Sequence, residues 1–163
     1  MNGKKALEWW RGLCVDECTA TPENGKLGDQ RYLDDLMEVF PTVVSSNNIG
    51  LNAAPWNIEN YNISASGSSV LLNNDPLLLY HFQGLEIFTP RLFDIYNATF
   101  PISRDVRRYI YQPYLRALSL SFQRLSIVIP GFAKGTSDFW RSPRTVLTYL
   151  KRTVIAKSNL VRI

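Results

Sequence analysis

Gly25-Lys26-Leu27-Gly28-Asp29-Gln30-Arg31-Tyr32-Leu33 is a glycine-bounded loop that delivers an Asp-Gln pair to a helix start. A carboxylate there is favoured by the helix dipole and by free backbone N–H groups. The same placement aims Asp29 and Gln30 out of the fold, where a carboxylate and an amide can grip a polyhydroxyl ligand. The pattern also reads as an N-cap followed by a surface helix, since short motifs match often by chance. A second candidate is Ala53-Ala54-Pro55-Trp56-Asn57. Pro55 restricts Ala54 to extended conformations, which leaves Trp56 and Asn57 at a turn or helix start. An aromatic plate beside an amide suits a sugar or a base; a hydrophobic plug beside a cap fits the same residues. The third is His81, the one histidine of the chain, followed by Gln83-Gly84. It reads either as a core imidazole bonded to backbone or as a metal or phosphate ligand at a strand end. Gly84 would let the backbone approach a ligand closely.

Several familiar chemistries have no support. The chain contains no Asp-x-Asp, no Gly-x-Gly-x-x-Gly, no P-loop, no Gly-x-Ser-x-Gly and no His-Glu-x-x-His. One histidine gives little basis for a Ser-His-Asp triad. Asp34-Asp35 reads as a solvated helix face. Cys14 and Cys18, spaced i,i+4 on an expected helix, are awkwardly placed for a disulfide. They are too few for a metal site with His81 alone. Reduced thiols point to a cytoplasmic setting.

The 163 residues suit one domain, with 45% hydrophobic and 20% charged residues, ordinary values for a globular fold. Their charge is uneven. Residues 1–103 hold 6 Lys and Arg against 12 Asp and Glu, whereas residues 104–163 hold 12 against 2. An acidic body with a basic tail suggests an anionic partner for the tail, such as a membrane surface. Nucleic acid is not the expected partner, because no recognition motif accompanies the charge. No stretch of about 18 apolar residues is present to span a bilayer, and Met1–Leu7 is too short and polar for a secretory signal.

Periodicity supplies the elements that must position these residues. Residues 4–18 read as an amphipathic helix with Ala6, Leu7, Trp10, Leu13, Cys14 and Val15 near one face. A helix over 30–40, stopped by Pro41, offers Tyr32, Leu33, Leu36, Met37 and Phe40 for burial. The β-branched stretch 42–46 predicts a strand. Strands over 62–66 and 70–73, joined at Gly67-Ser68, and a buried strand over 77–82 after a turn at Asn74-Asp75-Pro76 predict a small β-meander. From Val106 the pattern is helical with a kink or break at Pro113, and Pro130-Gly131 ends it. A basic amphipathic helix over 144–157 completes the tail, either packed on a neighbour or lying on a membrane.

Taken in order, Trp9-Trp10 with Cys14 and Cys18, the 25–33 loop, Asn52-Ala53-Ala54-Pro55-Trp56-Asn57 and Tyr80-His81-Phe82-Gln83-Gly84 resemble a known family. It is the C-terminal half of bacterial GT-A-type glycosyltransferases, the nucleotide-diphospho-sugar transferases related to the glycogenin and lipopolysaccharide galactosyltransferase family. The resemblance covers about residues 1–115. It implies a partial GT-A fold of the α/β class: a β-meander with flanking helices over 1–100, then a basic helical tail over 101–163. It implies a nucleotide-sugar donor and a glycan or lipid-linked acceptor at the inner face of the membrane. Asp29 would hold donor-sugar hydroxyls and Gln30 would face the reacting carbon. His81 would ligate Mn²⁺ or Mg²⁺, Gly84 would admit the diphosphate, and Asn52, Trp56 and Asn57 would line the sugar or acceptor pocket. The family's nucleotide-binding half, with its Asp-x-Asp, has no counterpart here, so the chain is expected to be the C-terminal part of such an enzyme. The alternative expectation is a non-catalytic carbohydrate-binding or membrane-surface module.

Overall fold

The computed structural model describes residues 2–18, 28–29, 32–95, 100–132, 146–147 and 160–163. It is a mixed α/β structure in two compact units, Met1–Asn47 and Asn48–Ile163.

The first unit is a pair of helices, α1 (Asn2–Asp16) and α2 (Leu33–Val39). Ala6 and Tyr32 are its buried hydrophobic residues among those described. Trp9 meets Phe40 edge to face, with ring centroids 5.8 Å apart. The Tyr32 hydroxyl donates to the Glu17 carbonyl just past the end of α1. Leu7, Val15, Leu33 and Met37, which periodicity assigned to buried faces, are exposed. The packing uses the narrower stripe on which the aromatic residues sit. The expected strand over 42–46 is absent. Pro41-Thr42 form a turn, and the residues after it are irregular, with Val44 exposed. β-branched residues favour a strand only where a pleated neighbour exists to pack on, and this unit has none among its described residues.

The second unit holds two three-stranded antiparallel sheets. In the first, β1 (Ile63–Ser66) and β2 (Ser69–Leu72) turn at Gly67-Ser68, as the sequence predicts. The third strand is β3 (Asp75–Pro76), not 77–82. Asn73 and Asn74 both take positive φ, 51° and 87°, and so make the two-residue hairpin turn one position earlier than expected. Pro76 is tolerated because β3 is an edge strand. The second sheet is β4 (Glu86–Thr89), β5 (Leu92–Asp94) and β6 (Leu160–Arg162), with a register irregularity in β4. The expected division near residue 100 falls inside this unit, where β6 pairs with β5 across the whole intervening helix. The tail is helical in its first part and ends as a strand.

Both sheets share one core with a long helical segment. Ser103 caps α3 (Arg104–Val106), its hydroxyl accepting from the Val106 N–H at 3.3 Å. Arg107–Tyr111 then widens into a π turn, and α4 (Gln112–Val128) follows. Pro113 thus stands in the first turn of α4, directly after the π turn. A proline lacks an N–H and crowds the carbonyl four residues back, and the wide turn before it removes that conflict. The inserted residue also rotates the buried face. Ile110 and Tyr111 are buried together, then Leu115, Ser119 and Phe122, while Tyr114 is exposed. Val106, Ile110, Tyr111 and Leu115 join Ala53, Ile58, Leu72, Phe93 and Ile95 in the core cluster. α4 ends before Pro130-Gly131, as expected. Of the predicted helix over 144–157, all but Val146 and Leu147 lies outside the described residues. No helix among the described residues is long and apolar enough to cross a membrane.

Candidate functional site

Asn57 builds the loop that carries Trp56. Its side-chain oxygen accepts the Ala54 N–H at 2.8 Å, and its amide nitrogen donates to the Asn52 carbonyl at 2.8 Å. The Ala54 carbonyl in turn accepts from the Asn57 and Ile58 N–H groups at 3.1 and 2.9 Å. Ala53, Ala54 and Pro55 are buried beneath, so the loop is fixed from inside and from below. Trp56 stands out of it, 43% exposed. It is not the hydrophobic plug that was one reading of its sequence context.

The segment 77–82 runs beside this loop. Its apolar run is no sheet strand: it meets the loop through one isolated parallel bridge, Ala53 to Tyr80. The Leu78 and Leu79 N–H groups both donate to the Gly50 carbonyl, and the His81 N–H donates to the Ala53 carbonyl at 2.8 Å. An extended backbone alternates its side chains. Tyr80 and Phe82 pack on the core, and His81 points outward and is exposed. Its imidazole lies against the Trp56 indole, with ring centroids 5.7 Å apart and planes tilted by 40°. His81 is thus neither in a buried strand nor a core imidazole.

The structure joins Asn52, Trp56, Asn57 and His81 into one surface. Gly84 sits in the turn after it, closed by a Leu85 N–H bond to the Phe82 carbonyl at 3.2 Å. Its φ of +80° suits glycine, so the turn itself accounts for this residue. Asp29 belongs to the other compact unit. It is exposed in the Gly28-Asp29 turn, and its carbonyl accepts from the Trp10 indole N–H at 2.9 Å. Helix α2 starts only at Leu33, so Asp29 precedes its first turn rather than occupying it. Gln30 lies outside the described residues. Half-buried Cys14 has its thiol pKa pushed up by desolvation first, with Cys18 and Asp29 adding to the rise. Both cysteines are free thiols.

Beneath His81 lies an aromatic cluster that sequence reading did not assemble. Tyr80, Phe82 and Tyr111 meet edge to face, and Phe82 stacks on Tyr114 with centroids 3.9 Å apart. The spacing of Tyr80 and Phe82 on either side of His81 was the available signal. The Tyr80 and Tyr111 hydroxyls are buried, lie near each other, and make no hydrogen bond of proper geometry among the described residues. Burial, reinforced by the neighbouring Tyr111, pushes the Tyr80 phenol far above its ordinary pKa, and burial raises Tyr111 as well.

What this surface offers a ligand is an indole face with a polar rim. Asn57 still has one amide N–H and one lone pair after its loop bonds. Asn52 and His81 are exposed beside it. A metal fits less well. Among the described residues no three His, Cys, Asp or Glu side chains gather into a group able to hold an ion. His81 has an indole against its ring, and one imidazole is not a metal site.

Two Bacillus subtilis (strain 168) proteins are similar to this chain. The uncharacterized protein YfnF is 34% identical over 132 residues, covering 80% of this chain and 44% of YfnF. The uncharacterized protein YfnD is 34% identical over 139 residues, covering 82% of this chain and 45% of YfnD. The chain spans a little under half the length of these relatives. No family model and no solved structure matches it.

Proposed function

We propose that this chain is the sugar- and acceptor-side part of a glycosyltransferase that moves a sugar from a nucleotide-diphosphate donor to a glycan or lipid-linked acceptor. The observation that carries the reading is the Trp56–His81 surface on its stapled loop. An indole face is electron-rich and attracts the polarised C–H groups on the apolar face of a sugar ring. The amides of Asn52 and Asn57 and the His81 imidazole then reach hydroxyls at the ring's edge. Because Asn57 fixes the loop beforehand, little ordering cost is left for binding. In this reading Asp29 holds donor-sugar hydroxyls and Gln30 faces the reacting carbon, as the family resemblance implies. The relatives extend well beyond the matched region, which leaves room for a nucleotide-binding part. The Mn²⁺ or Mg²⁺ of the resemblance needs more ligands than the described residues bring together, and no step of the reading runs through it.

The test is calorimetric titration of the chain with UDP, UDP-hexoses and free oligosaccharides, with and without Mn²⁺. Sugar-bearing ligands are expected to bind at roughly millimolar Kd, with about a fivefold to tenfold loss in Trp56→Ala and a smaller loss in Trp56→Phe. His81→Ala is expected to weaken the same ligands. Unchanged affinity in Trp56→Ala, or UDP binding as well as its sugar conjugates, would sink the proposal that this surface receives the sugar.

A further inference from the structure

A second site takes shape at the far end of the β4–β5 hairpin. The connection Thr89-Pro90-Arg91-Leu92, together with Arg162 of β6, lines a groove of about 550 Å³. This is within the usual size of small-molecule sites, roughly 300–1,000 Å³. The backbone fixes both arginines at its edge. The Arg91 N–H donates to the Thr89 hydroxyl at 3.2 Å, and the Arg91 carbonyl accepts from the Ile163 N–H at 3.0 Å. Arg162 is the direct cross-strand partner of Leu92. Arg91 and Arg162, far apart in the sequence, thus both come to line this groove when β6 closes on β5. Both are exposed, and neither makes an ion pair among the described residues.

We infer that this groove binds the phosphate or diphosphate group of a small anionic ligand. Each guanidinium presents a planar fork of N–H donors that matches two oxygens of a phosphate. Two such forks on one groove suit a dianionic or diphosphate group better than a single carboxylate. Pro90 and Leu92 supply an apolar wall for whatever the phosphate is attached to. The assignment stands on these residues alone and does not rest on the glycosyltransferase reading, whose surface shares no residue with the groove. The phosphate is carried either by a soluble molecule or by a lipid headgroup, and the two sources are separable.

The experiment has two arms. In the first, the chain is titrated calorimetrically with inorganic pyrophosphate at fixed ionic strength, with chloride as the reference anion. Binding is expected below about 10 mM, with about a tenfold loss in Arg91→Ala and in Arg162→Ala. Arg91→Lys and Arg162→Lys keep the charge but lose the fork, so an intermediate affinity is expected. Arg116→Ala, an exposed arginine elsewhere on α4, is expected to change nothing. In the second arm, the variants are co-sedimented with phosphatidylcholine vesicles containing phosphatidic acid. Pyrophosphate binding that needs both arginines assigns a soluble source. Vesicle binding that needs both, without pyrophosphate binding, assigns a headgroup. No binding in either arm, or equal binding by wild type and both alanine variants, overturns the site.

Discussion

The Tyr111 side chain is fully buried, and its hydroxyl has no hydrogen-bond partner among the described residues. A hydroxyl gives up its bonds to water on burial and recovers the cost only by pairing inside. Tyr111→Phe removes the group that bears this cost and keeps the ring that touches Tyr80 and Phe82. The expected result in urea unfolding is no loss of stability, or a gain of up to about 1 kcal/mol. A loss above that size would mean that the hydroxyl is paired after all. The same burial fixes a pH dependence. The phenol pKa values of Tyr80 and Tyr111 are raised in the folded state. Below the unfolded value of about 10, both states keep the proton and the difference contributes nothing. Above it, the unfolded chain ionises while the folded chain stays neutral, so stability falls with rising pH. Tyr111→Phe is expected to make that alkaline loss shallower, read as the unfolding midpoint followed from pH 8 to beyond the phenol range.

At the scale of elements, the 3-10 turn Ile49–Leu51 is held by one glycine. Gly50 is buried, and a methyl group built on it would run into the Pro76 carbonyl oxygen. Its own carbonyl accepts two N–H groups from the 77–82 segment, so the clash cannot be relieved without moving the backbone that carries His81. Gly50→Ala is expected to cost about 2–3 kcal/mol, the upper range for overpacking, and to weaken any ligand of the Trp56–His81 surface as well. Circular-dichroism melting and the sugar titration read the two effects; a stability within about 0.5 kcal/mol of wild type would contradict the close approach. This glycine was not legible in the sequence, where it sits in a polar loop and its constraint comes from a residue 26 positions away. The β1–β2 hairpin and the stop after α4 were legible because Gly67-Ser68 and Pro130-Gly131 act locally. Leu77-Leu78-Leu79 misled for the opposite reason: apolar composition implied a strand, while the backbone partners that would make one were taken by a loop. Trp56 and His81 were each legible as candidates, but their contact was not, because it depends on that same loop pairing.

Among the described residues of the whole molecule, burial is distributed very unequally between the two compact units. The buried hydrophobic residues described in Met1–Asn47 are Ala6 and Tyr32, whereas Asn48–Ile163 buries Ile58, Leu72, Phe93, Ile95, Tyr111 and Leu115 among others. Local opening free energy follows buried apolar contact. A stretch of fewer than about 50 residues rarely buries enough surface to be stable alone. The exposed Lys4–Glu8 pair, 3.8 Å apart on α1, adds little to offset this. The units should therefore open separately. In native-state hydrogen exchange, amides of α1 and α2 are expected to exchange at least ~30-fold faster than those of residues 106–119, about 2 kcal/mol in opening free energy. Rising urea should first abolish protection in α1 and α2, then release β1, β2, β5 and α4 together, since those elements meet in one core cluster. Simultaneous loss of protection throughout the chain would show a single cooperative unit in place of two. This order matters for function, because Asp29 sits in the less buried unit and the Trp56–His81 surface in the better buried one. Sugar binding at that surface should therefore survive urea concentrations that have already opened α1 and α2.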